Sequence, residues 1–72
     1  MNWRTRTQQI EIGCKVQIIG WRDFYNVKIG EVVTINYGKI SISTPSHGLP
    51  AGSAWWGTDR GNIYEVDMRR IS

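Results

Sequence analysis

A chain of 72 residues is one domain, and a single cysteine, Cys14, and a single histidine, His47, supply neither a disulfide framework nor the four ligands of a structural zinc site. A domain this short buries only about 60% of its unfolded surface, so stability must come from a compact apolar core or from association. The net charge of +3 sits at the ends: Arg4 and Arg6 occupy residues 1–10 without an acid, residues 11–68 hold five bases against six acids, and Arg69 and Arg70 follow. The body is near neutral, and four terminal arginines could form one patch for phosphates or for an acidic protein surface.

Residues 1–9 are polar and read as a flexible tail, with the folded domain over 10–72. No apolar run marks a signal peptide, and no stretch approaches the ~20 apolar residues of a spanning helix. A soluble cytoplasmic protein is the expectation by elimination, with no membrane partner. No window sustains apolar residues at helical spacing, whereas eight glycines and many β-branched residues predict short strands and turns.

The first strand is predicted over Cys14–Ile19, with Val16 and Ile18 on the buried face and Lys15 and Gln17 on the other. Residues 21–29 read as a long loop of mixed aromatic and charged character. A second strand is predicted over Gly30–Asn36, a tight turn at Tyr37-Gly38, and a third strand over Lys39–Ser43, the two forming a hairpin. Pro45, Gly48, Pro50 and Gly52 predict an irregular second loop over 44–53. Ala54–Gly57 reads as a short strand, Asp59–Asn62 as a turn, Ile63–Val66 as a strand, and Asp67–Ser72 as one 3₁₀ turn and a last strand. Five short strands suit an all-β, small five-stranded SH3-like barrel, whose closure removes exposed sheet edges. Its expected core is Val16, Ile18, Val32, Ile35, Ile40, Ile42, Tyr64, Val66, Met68 and Ile71. Val32 and Ile35 are three apart, and a β-bulge between them would bring both to one face.

Two resemblances follow from these residues. Gly13-Cys14-Lys15-Val16, the loop of ten residues, then Gly30-Glu31-Val32 and Ile35 resemble the KOW-type opening of SH3-like barrels. The pattern is similar to that of the small stromal photosystem I subunits that help dock ferredoxin, with their Gly-Ser-Lys-Val strand and Gly-Thr-Val turn. This likeness covers roughly 13–43 and 61–72 and implies the fold, since the barrel itself requires such glycines and valines. Gly61-Asn62-Ile63-Tyr64-Glu65-Val66 also resembles the pore strand of the plasmid-encoded dihydrofolate reductases, with Asn62 standing where that family has glutamine. That resemblance implies a tetramer with a shared pore.

Residues that could do chemistry are scattered. Asp59 suits a turn bonding its own backbone better than a general acid, His47 lies in a loop with no pocket implied, and Cys14 reads as a small semi-buried side chain. No helix follows a glycine-rich segment to hold phosphate. The expectation is a non-enzyme without catalytic residues, cofactor or metal. Aromatics carry more information: eight in 72 residues exceed what so small a core can bury. Trp21, Phe24 and Tyr25 lie in the first loop, Trp55 and Trp56 beside the second, and adjacent strand residues point to opposite faces, so one of the two tryptophans should face outward. The predicted partner surface is Trp21, Arg22, Phe24, Tyr25, Trp55, Trp56, Arg60, Arg69 and Arg70, for a protein partner. By analogy with small phage and mobile-element proteins, an accessory or inhibitor role is expected. Single-stranded nucleic acid, stacked on the aromatics and neutralised by arginine, is the alternative partner.

Overall fold

Alternation of Val16 and Ile18 with Lys15 and Gln17 becomes strand β1, Lys15–Ile18, whose two aliphatic side chains are fully buried. The computed structural model describes residues 9–72. Four further strands follow: β2 (Val32–Ser41), β3 (Ala54–Thr58), β4 (Gly61–Tyr64) and β5 (Met68–Arg70), with a 3₁₀ turn at Glu65–Asp67 between the last two. They form one antiparallel sheet in the order β4-β3-β2-β1-β5, so the fold is all-β.

This sheet cannot be flat. Five flat strands would set the outer pair about 19 Å apart, at roughly 4.8 Å per spacing. Yet the outer strands β4 and β5 are joined by only the three residues Glu65–Asp67, and a 3₁₀ turn rises about 2 Å per residue. The sheet therefore curls, and β2 is the strand that turns the corner. Val32, Val33 and Thr34 pair with β1, while Ile35 to Ser41 pair with β3. The core cluster comprises Val16, Ile18, Val33, Ile35, Trp56, Ile63 and Met68, with Tyr25 and Val27 of the first loop, Cys14, and Tyr64, which is buried as expected.

Two expectations about β2 are corrected. Residues 36–39 form no hairpin turn; β2 runs on through Tyr37 and Gly38 to Ser41. The buried valine is Val33 rather than Val32, so Val33 and Ile35 share a face by plain alternation and need no bulge. The irregularities lie further along, between Ile35 and Tyr37 and between Tyr37 and Ile40. There β2 spends extra residues against β3, which puts Tyr37 on the outer face beside Ile40, three residues away. Ile40 and Val32 are accordingly exposed, as are Val66 on the 3₁₀ turn and Ile71 after β5, and Ile42 is only partly buried against the core.

The reversal into β3 comes later. Ile42 still exchanges backbone bonds with Gly52 and Ser53, and Ser46 and Leu49 bond each other in both directions. His47 (φ 53°) and Gly48 (φ 81°) form the tip, both left-handed, as a two-residue hairpin turn matched to the strand twist requires. Residues 44–53 therefore lie outside the strands, as expected, with one isolated bridge, Ser46 to Leu49, closing their tip.

Candidate functional site

The cross-strand register writes the outer face of β2–β3–β4. Ile40, Trp55 and Tyr64 stand in one row and Tyr37, Gly57 and Asn62 in the next. Directly opposed residues of antiparallel strands share a face, so Trp55 and Tyr64 lie on one face and Trp56 and Ile63 on the other; Tyr64 is nevertheless buried, with Phe24 packed edge-on against it. Gly57 has no side chain because the Tyr37 ring occupies its place: a Cβ there would overlap that ring. Tyr37 then reaches across the sheet to donate to Asn62 Oδ1 at 2.7 Å and meets Trp55 edge-on, centroids 6.5 Å apart.

A cleft of about 170 Å³ opens beside this row, lined by Phe24, Trp55, Asn62 and Tyr64. Phe24 stands perpendicular to Tyr64 at 6.1 Å, and the His47 ring lies 4.4 Å from Phe24. Phe24 of the first loop, backed by His47 of the hairpin tip, therefore supplies one wall, and the sheet supplies the rest. A wider hollow of about 470 Å³ is lined by residues 45–50 alone; no second element faces it, so it offers no convergent groups.

One carboxylate sets the wall. Asp67 is buried on the 3₁₀ turn, and its Oδ2 accepts from Arg22 Nε at 2.9 Å and from the Tyr25 hydroxyl at 2.6 Å. Tyr25 in turn accepts from the Tyr64 backbone N–H at 2.8 Å, and Arg22 donates to the His47 carbonyl at 2.7 Å. The guanidinium also lies 5.7 Å from the Tyr64 ring centre, within cation–π range. Gly20 is required here, because a Cβ would strike the Asp67 carboxylate. Burial, and secondly the bond to Asp67, push the Tyr25 hydroxyl above its ordinary pKa of 10.0. Arg22, Tyr25 and Asp67 thus clamp the first loop, the hairpin tip and β4 together.

The predicted site residues divide accordingly. Phe24 and Trp55 meet at the cleft, with Phe24 47% exposed. Trp21 is exposed on the same loop. Trp55 is the outward member of its pair. Trp56 is buried, its indole N–H donating to Glu65 Oε1 at 3.0 Å, and Tyr25 is buried in the clamp; both are corrected from surface to interior. Arg22 is half-buried and structural. The other arginines lie elsewhere: Arg60 pairs with Glu31 and the Asn26 carbonyl, Arg69 bonds Gln17 Oε1 at 2.8 Å, and Arg70 pairs with Glu11 at 3.1 Å. The four-arginine patch needs Arg4 and Arg6, which lie outside the described residues, as does the proposed tail apart from Gln9. Sequence reasoning missed Asn62 as a lining residue, and Tyr64, correctly read as buried, lines the cleft as well; Tyr37, bonded to Asn62, and His47, packed on Phe24, were missed as their supports. The Ser46-His47-Gly48-Leu49 tip was the available signal for His47, as a hairpin turn rather than a flexible loop.

Among the described residues no three His, Cys, Asp or Glu side chains gather closely enough to hold a metal ion, and no helix is long and apolar enough to cross a membrane. No protein-family model, curated protein or solved structure matches this chain.

Proposed function

We propose that this protein is a non-catalytic docking module that holds a protein partner on the aromatic cleft between its first loop, its hairpin tip and the outer face of β3–β4. The observation that carries the reading is the composition of that cleft. Three aromatic rings and one amide converge from three separate segments, and none of the four lining residues is charged. Aromatic side chains give large contact area at little entropic cost, which is the composition of interface hot spots.

Charge placement favours protein over nucleic acid. Stacked bases bring phosphates with them, and the guanidinium nearest the cleft, Arg22, is already engaged by Asp67 and the His47 carbonyl. Arg60, Arg69 and Arg70 are occupied away from it. The reductase-like alternative draws no support, because Ile63, which a shared pore would expose, packs in this chain's own core.

Affinity capture with Trp55→Ala and Phe24→Ala tests the reading. Each substitution should weaken partner binding by about 2 kcal/mol, with the far-ultraviolet spectrum unchanged. Unchanged binding for both would remove the cleft from the interface. Binding that falls steeply with salt would transfer it to nucleic acid.

A further inference from the structure

The cleft's unused hydrogen-bonding groups say what kind of segment it takes. Tyr37 donates to Asn62 Oδ1, which fixes the amide and leaves its Nδ2 hydrogens to point elsewhere. Neither those hydrogens, nor the Trp55 indole N–H, nor the Tyr64 hydroxyl has a hydrogen-bond partner among the described residues. Yet no buried side-chain polar atom of the described residues is unsatisfied. The Trp55 and Tyr64 groups are therefore open to solvent, although Tyr64 as a whole is only 7% exposed. The lining side chains thus offer donors from three residues, with acceptors only at the Tyr64 hydroxyl and the second lone pair of Asn62 Oδ1, over ring faces. Among these lining residues no carboxylate waits for a cation and no ammonium or guanidinium for an anion.

We infer that the occupant is an uncharged, extended stretch of a partner polypeptide, with one apolar side chain between Phe24 and Trp55 and its flanking backbone carbonyls received by the free donors. This rests on the docking reading above and narrows it. Size agrees: about 170 Å³ holds one side chain and not a folded element. Preorganisation agrees too, because the clamp through Asp67 fixes the wall before anything binds.

Acetyl-pentaproline-amide is the probe that isolates this chemistry. Its interior residues carry carbonyl acceptors and no N–H, and it is extended before binding. Titrated into the full chain at millimolar concentration, it should shift the Asn62 side-chain and Trp55 indole N–H resonances to saturation. Phe24→Ala should lower the affinity roughly ten-fold, with the remaining spectrum unchanged. Absence of these shifts overturns the inference. Acetyl-pentalysine-amide shifting them in its place would overturn the inference and leave protein docking standing, while a thymidine pentanucleotide doing so would overturn both.

Discussion

Gly57 and Tyr37 occupy one volume between them: the ring lies where a Cβ would stand. Gly57→Ala should therefore cost about 1–3 kcal/mol in denaturant unfolding, as overpacking does, and free the Tyr37 hydroxyl from Asn62. In the Tyr37→Ala background the same change should cost far less, since the two positions are coupled. Asp67→Asn removes a mostly buried charge from beside Arg22 and should cost roughly 3 kcal/mol. The Tyr25 proton gives a pH signature. Its pKa is raised in the folded chain, so an unfolded chain loses that proton first as pH rises. The contribution is intact below pH 10 and stability declines above it. Equilibrium unfolding between pH 9 and about 11 should fall more steeply for the native chain than for Tyr25→Phe. At this scale the sequence was half legible. That one of Trp55 and Trp56 faces outward followed from strand parity. Which one did not, because parity has no absolute sign without a partner strand. Tyr25 read as surface since its neighbours Trp21 and Phe24 are; Asp67 and the Tyr64 N–H, 42 and 39 residues away, bond it inside.

At the scale of elements, β2 carries the curvature. Its extra residues against β3 rotate Tyr37 outward from a strand whose earlier part serves the core. A local reading of Asn36, Tyr37 and Gly38 finds the residues of a tight turn, because glycine and asparagine suit turns and bulged strands alike. The sequence resolves neither, since the deciding interaction is the pairing with Gly57 and Trp55. The later hairpin is specified by its tip. Gly48 sits at φ 81°, so Gly48→Ala should destabilise the chain by about 1 kcal/mol. Because Arg22 grips the His47 carbonyl, the same substitution should broaden the Phe24 ring resonances; sharp, unshifted Phe24 signals would show that tip and loop are not coupled.

Over the whole molecule, the all-β class was legible from alternation, turn residues and the lack of helical spacing, and β1 from Val16 and Ile18 alone. The cleft was legible only as an excess of aromatics, since its members come from residues 24, 55, 62 and 64, the last three brought together by register and the first by its loop. The molecule offers two contrasting outer faces. One is the aromatic row of β2–β3–β4; the other, on β5–β1–β2, bears Lys15, Gln17 and Arg69. Mapping amide and side-chain N–H shifts on the full chain as its captured partner is added separates them. The account predicts perturbations confined to Phe24, Tyr37, Trp55, Asn62 and Tyr64. Shifts centred on Lys15, Gln17 and Arg69, with the cleft silent, would contradict it.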